Sequence, residues 1–101
     1  MKSYRVEAAE PFKRQLADAQ EWWIANRDKN PRALDQDVSR LLKRVENTPW
    51  AGQGVAGYPS VVRTMLLRKT HHRVAYRIDD EDGVVTLLVI WGSAERRPPE
   101  F

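Results

Sequence analysis

Three apolar, β-branched runs stand close together in the second half of the chain, and no other feature restricts the fold as strongly. They are VVRTMLLRK (61–69), RVAYRID (73–79) and VVTLLVIWG (84–92), separated by THH and by the acidic turn DEDG. Short runs rich in Val, Ile, Tyr and Thr read as strands, and short polar connections make successive strands antiparallel neighbours. Asp82-Gly83 supplies the residues that a tight hairpin turn needs. The stretch Val61–Trp91 is therefore expected to form a three-stranded meander.

Side-chain alternation assigns faces to it. In the second run Val74, Tyr76 and Ile78 lie on one side, with Arg73, Ala75 and Arg77 on the other. The third run differs, because Val85, Leu87, Val89 and Trp91 alternate with Val84, Leu88 and Ile90, leaving both faces apolar apart from Thr86. Such a strand belongs in the sheet's centre, covered on both sides. If the chain's own helices cover one face, another chain is expected to cover part of the second, since large bare apolar patches are uncommon on monomers.

The preceding half supplies those helices. Tyr4–Ala8 alternates apolar and polar residues, so a first strand is expected over Lys2–Glu7. Glu10-Pro11 opens a helix, with Pro tolerated in the first turn. Phe12, Leu16, Ala19 and Trp23 form its apolar stripe, and it is expected to end near Asn26 or Arg27. Asn30 reads as an N-cap and Pro31 as the first position of a second helix reaching Asn47, with Leu34, Val38, Leu41, Leu42 and Val45 as its buried face. A short connection makes the two an antiparallel helical hairpin. Thr48–Ser60 holds three Gly and two Pro and is expected to be a long loop.

A chain of 101 residues, 42% of them apolar, is one domain with a modest core. The absence of cysteine excludes disulfides and thiolate zinc sites, so nothing requires an oxidising compartment. MKSYRVEAAE lacks an apolar signal core, and Val84–Trp91 is too short to span a bilayer. A soluble cytoplasmic protein without membrane association is the expectation.

Charge is distributed unevenly. Residues 1–50 hold ten Lys/Arg against eight Asp/Glu, whereas Val61–Ile78 holds Arg63, Arg68, Lys69, Arg73 and Arg77 against no carboxylate. A localised positive face suits an acidic partner such as nucleic acid, a ribosome or an acidic protein segment, and equally the solvated side of a sheet.

Motifs for catalysis are sparse. Gly52, Gly54 and Gly57 spell G-x-G-x-x-G, but no strand precedes them and Pro59 blocks a helix start, so they are no phosphate cradle. His71 and His72 are neighbours in a turn and do not converge on a metal, so neither a metal nor any other cofactor is expected. Ser3, Ser39, Ser60 and Ser93 sit in no nucleophile elbow, and Asp79, Asp80, Glu81 and Asp82 read as a solvated hairpin tip. The arginines remain. Metal-free RNA cleavage needs cations to stabilise a charged phosphorane-like transition state, plus a base and an acid. Arg63, Arg73 and Arg77 meet the first need, but after Trp91 there is no Tyr or His to serve as the acid.

The order of strand, helical hairpin, Gly/Pro loop and meander, with the wording V-x-R-x-x-L-L-R-x-T-x-x-x-V-x-Y-R-I-D-D-E-x-G-V-V-T-L-L-V-I-W, resembles the ParE/RelE superfamily of type II toxin–antitoxin toxins. The resemblance spans nearly the whole chain and is most specific over Arg63–Trp91. It implies an α+β fold in which a strand and a helical hairpin pack on a mainly antiparallel sheet completed by the meander. It also implies a plasmid-stabilisation type of toxin held inactive by a cognate antitoxin, in a possible hetero-oligomer, with the antitoxin's C-terminal segment wrapped across hairpin and sheet. Leu88, Ile90 and Trp91 are the expected antitoxin seat, and Arg63, Arg73 and Arg77 the expected target-facing set. RelE-like members cut mRNA on the ribosome with a basic cluster and often a C-terminal Tyr or His. Here no Lys or Arg falls between Val45 and Val62, and the terminal Tyr or His is missing. ParE-like members, known for poisoning DNA gyrase, are the nearer match. The alternatives are a ribosome-dependent endoribonuclease using Arg63, Arg73 and Arg77 with Arg96 or Arg97, and a non-toxic binding module on the same fold.

Overall fold

A computed structural model describes residues 3–27, 29–92 and 99–101. The elements run β1 (Arg5–Ala8), α1 (Glu10–Asn26), α2 (Ala33–Asn47), a 3₁₀ turn (Pro49–Ala51), β2 (Gln53–Gly54), β3 (Val62–Leu67), β4 (His72–Asp79) and β5 (Val84–Gly92). The five strands form one sheet in the order β1-β5-β4-β3-β2. The meander is antiparallel throughout, and β1 joins it in parallel along β5, with Arg5 opposite Val84 and Ala8 opposite Leu87. β5 therefore lies inside the sheet, as its two apolar faces require.

Both helices cover one face. α1 packs along β5, and α2 lies against β1, β3 and the 3₁₀ turn. Phe12 is buried, with Leu16, Ala19 and Trp23 packed beside it, and α2 contributes Leu34, Leu41 and Val45 to the same core. Across from them stand Met65, Leu67, Val74, Tyr76, Ile78, Val85 and Leu87. Among the described residues no helix is long and apolar enough to cross a membrane.

Four local expectations are corrected. The first strand spans Arg5–Ala8, and Lys2 lies outside the described residues. Helix α2 starts at Ala33 with Arg32 as its N-cap and no side-chain cap. Asn30 forms a turn ahead of it, because its carbonyl accepts from the Ala33 N–H (3.2 Å) and from the Trp23 indole Nε1 (2.8 Å). Leu42 is exposed, and the carboxylate of Asp37 occupies the buried stripe in its place. The loop after α2 is broken by the 3₁₀ turn and by β2, which pairs Gln53 with Thr64 and Gly54 with Arg63.

A β-bulge changes the faces of β5. Tyr76 pairs with Leu87 but Ala75 pairs with Val89, which leaves Leu88 as the extra residue. Past a bulge the alternation changes parity. Val85, Leu87 and Ile90 therefore face the helices, while Val89 and Trp91 join Ala75 in a second apolar cluster on the opposite face. Simple alternation had placed Leu87 with Val89 and Leu88 with Ile90.

Candidate functional site

Cross-strand partners share a face, so the register sorts the arginines. Arg73 stands between Leu66 and Trp91, and Arg77 between Val62 and Thr86, all on the face away from the helices. Four residues apart on one strand, the two arginine positions are about 13 Å apart. Between them lies Ala75 with Val89 and Trp91, an apolar strip covered by Phe101. The Phe101 ring stacks on Tyr58 (centroids 4.7 Å, planes 13° apart) and on Trp91 (6.5 Å, 19°), and the Tyr58 hydroxyl donates to the Phe101 carbonyl at 3.4 Å. The chain itself thus covers part of the face for which a second chain was expected. Arg73 and Arg77 flank this aromatic cover.

Arg63 is elsewhere. It pairs with Tyr76, whose side chain is in the helix-side core, and its guanidinium is held by the loop. Nε donates to the Ser60 carbonyl (2.8 Å), Nη1 donates to the Gly52 carbonyl (3.1 Å), and the group lies over the Trp50 ring at 5.0 Å. Arg63 is a clamp for residues 52–60. Arg63→Ala is expected to lower stability by about 2 kcal/mol, the scale of charge-assisted bonds lost, and to speed limited proteolysis within 52–60. Unchanged cleavage of that segment would show that the clamp is idle.

Of the expected antitoxin seat, Trp91 lies on the open face under Phe101, and Leu88 is half-buried at the bulge. Ile90 is corrected: the parity change turns its side chain into the helix-side core, where its N–H donates to Gln15 Oε1 at 3.0 Å. Arg96 and Arg97 lie outside the described residues.

The strongest buried polar constellation was not anticipated. Asp37, 3% exposed, accepts through Oδ2 from the Thr70 N–H and hydroxyl (both 2.9 Å), and through Oδ1 from Arg40 Nη2 (2.8 Å) and the Lys69 N–H (3.4 Å). Burial pushes the carboxyl up, but the bonds from Arg40, Thr70 and Lys69 outweigh it and hold the group below its usual range. Because the Thr70 proton goes to Asp37, the Thr70 oxygen accepts from His72 Nδ1–H at 2.9 Å, which sets the ring's tautomer. The His72 ring then meets Trp23 edge-on at 6.3 Å. The network fastens the β3–β4 turn, where His71 takes a left-handed φ of 57°, to both helices. Asp37 lies three residues after Leu34 and four before Leu41, so a carboxylate inside an apolar stripe was the available signal.

The acidic hairpin is also more than a solvated tip. Asp80 Oδ1 accepts from the Tyr4 hydroxyl and from Trp50 Nε1 (3.2 Å), tying the N-terminal segment and the loop to the hairpin. The bond to Asp80, with burial, raises the Tyr4 phenol above its ordinary value.

Residues 6–97 match the family described as ParE toxin of type II toxin-antitoxin system, parDE. The chain belongs to this family. Comparison with curated protein sequences found no match. Among solved structures, the chromosomal ParDE system from P. aeruginosa is 16% identical with a TM-score of 0.67, covering 89% of this chain and 96% of that one. The toxin–antitoxin complex RelBE2 from Mycobacterium tuberculosis is 23% identical with a TM-score of 0.69, covering 94% and 97%. The intact E. coli RelBE complex is 22% identical with a TM-score of 0.60, covering 93% and 100%. These likenesses establish the ParE/RelE fold of two helices on a five-stranded mixed sheet. They include ParE and RelE representatives alike, so the choice of target rests on this toxin's own residues.

Proposed function

We propose that this toxin acts in the cytoplasm by binding and blocking DNA gyrase, and that a cognate antitoxin holds it inactive. The observation that carries the reading is the division of the arginines. Arg63 is bound into the loop, while Arg73 and Arg77 flank an aromatic strip on the other face of the sheet. A nuclease would converge its cations on one phosphate within hydrogen-bond reach. A surface with separated cations around an apolar centre suits recognition of a large partner. The antitoxin reading is supported by family membership and by neighbours that were solved as toxin–antitoxin complexes.

Induction of the chain alone is expected to arrest bacterial growth, with loss of supercoiling by purified gyrase on addition of the toxin. Arg73→Ala and Arg77→Ala should each weaken gyrase inhibition about tenfold, the loss of one well-placed contact. Codon-positioned mRNA cuts on translating ribosomes, abolished by Arg73→Ala, would instead establish the endoribonuclease reading. Normal growth despite soluble expression would favour a non-toxic binding module.

A further inference from the structure

We infer that the cleft between the C-terminal half of α1 and the β3–β4 turn binds a guanine nucleotide, free or within a single strand. This goes beyond the gyrase reading and does not depend on it.

The cleft is already walled. It has a volume of about 600 Å³ and is lined by Trp22 and Trp23 of α1, by His71 of the turn and by the end of β5, a size that suits a nucleotide. Trp23 is fixed, because its Nε1 donates to the Asn30 carbonyl (2.8 Å) and its ring meets the edge of His72, which Thr70 holds in turn. Trp22 differs. It is 50% exposed, belongs to neither apolar cluster, and stands beside Trp23 with ring centroids 6.3 Å apart. A half-bare indole set against an anchored one contributes little to the core and offers a platform on which a flat ring stacks.

The polar groups around the platform select its occupant. Gln15, Asp18 and Trp22 follow one another at i, i+3 and i+7, so they share one face of α1. Gln15 Oε1 accepts from the Ile90 N–H, which leaves the amide nitrogen to donate. Arg27 lies over the rings, its guanidinium 5.2 Å from the Trp22 centroid and 5.8 Å from that of Trp23. Among the described residues neither Asp18 nor Arg27 is in an ion pair. Because Arg27 fills the cation seat of the aromatic pair, a polyamine or other cation is disfavoured. Asp18 repels an inorganic anion or an acidic peptide. A ligand that satisfies both carries N–H donors at one end, a flat ring in the middle and an anion at the other end. Guanine presents adjacent N1–H and N2–H donors with the O6 acceptor beside them, which match the Asp18 carboxylate and the Gln15 amide while the base stacks on Trp22 and its phosphate meets Arg27. Adenine would turn the lone pair of its N1 toward the carboxylate.

The test is a titration of the ¹⁵N-labelled toxin with guanosine 5′-monophosphate, followed at the tryptophan indole N–H groups. Saturable shifts of Trp22 and Trp23 are expected, with Trp50 unmoved. Asp18→Asn and Trp22→Ala, both at exposed positions and with folding checked by circular dichroism, should each weaken binding about tenfold, the scale of one lost charge-assisted bond or stacked ring. Arg27→Ala should bring the nucleotide down to the affinity of guanosine, which lacks the phosphate. Adenosine 5′-monophosphate should bind the wild type about tenfold more weakly than the guanine nucleotide, and Asp18→Asn should narrow that gap. A short thymine strand with one central guanine identifies the source: binding tighter than the free nucleotide assigns the site to single-stranded nucleic acid, weaker binding to the free nucleotide, and either supports the cleft. Equal shifts by inorganic phosphate, equal affinity for the two nucleotides, or no saturable shift at millimolar guanine nucleotide would overturn the proposal. Gyrase inhibition is a separate readout, so a failed titration beside intact inhibition removes the nucleotide cleft alone.

Discussion

Asp37→Ala should lower the stability of this small fold by about 3 kcal/mol, the cost of leaving the buried donors of Thr70 without an acceptor while breaking a charge pair. For a domain near this size that corresponds to a thermal midpoint lower by about 15 °C. Arg40 contributes little to the loss, because its side chain is 57% exposed and can return to water. The Thr70 N–H and hydroxyl cannot, since Thr70 is 7% exposed. Asp37→Asn keeps one acceptor oxygen for Thr70 but turns an amide N–H₂ toward Arg40 and the Lys69 N–H, so it should fall between wild type and alanine. The pH dependence has a fixed sign. The folded carboxyl titrates below its ordinary value, so its contribution is present above the unfolded pKa of about 3.9 and is lost as pH falls through the folded one. Urea unfolding should therefore show a wide gap between wild type and Asp37→Ala at neutral pH that closes in strong acid. A gap under 1 kcal/mol at neutral pH, or one that stays constant in acid, would mean that the latch does not hold the β3–β4 turn.

The elements of the fold were legible because they follow local rules. Apolar runs separated by Asp-Gly and by THH gave all three meander strands to within a few residues at their ends, and the stripe Phe12, Leu16, Ala19, Trp23 lies on the core as its spacing requires. The alternation of β4 also held, because no residue is inserted there. It failed on β5 at Leu88, since a bulge is created by pairing with β4 and leaves no mark in the strand's own composition. That one residue moves Ile90 from the expected antitoxin seat into the core. The arginines show the same boundary. Their clustering in sequence was visible, but the separation of Arg63 from Arg73 and Arg77 depends on cross-strand register and on contacts with Ser60, Gly52 and Trp50. Long-range partners also account for Asp80, whose bonds reach Tyr4 and Trp50, 76 and 30 residues away in sequence.

Gly52→Ala is the second change with a large expected effect, and its cause is close approach, not backbone conformation. Gly52 has an ordinary φ of −69°, which any residue adopts. An added Cβ would overlap the Tyr76 hydroxyl and lie 3.0 Å from Tyr76 Cζ and 2.9 Å from the Thr64 carbonyl oxygen. The Tyr76 ring cannot yield, because it is fully buried and its hydroxyl donates to the Pro49 carbonyl at 2.5 Å. The loop must move instead, which also strains the Arg63 bond to the Gly52 carbonyl. A loss of about 2–3 kcal/mol follows from overpacking of this kind. Tyr76→Phe alone should cost about 1 kcal/mol by leaving the Pro49 carbonyl without its donor. Combined, the two should be less damaging than their sum by about 1 kcal/mol, since removing the hydroxyl opens room for the new methyl, while the Thr64 carbonyl keeps the rescue partial. Strict additivity would show that the loop and Tyr76 do not touch in solution. Alkaline unfolding offers an independent check. Burial pushes the Tyr76 phenol up to about 12, so its contribution is complete below the unfolded pKa of about 10 and disappears as pH rises toward the folded value. Tyr76→Phe should lack that component, and its stability should fall less steeply than wild type above pH ~10.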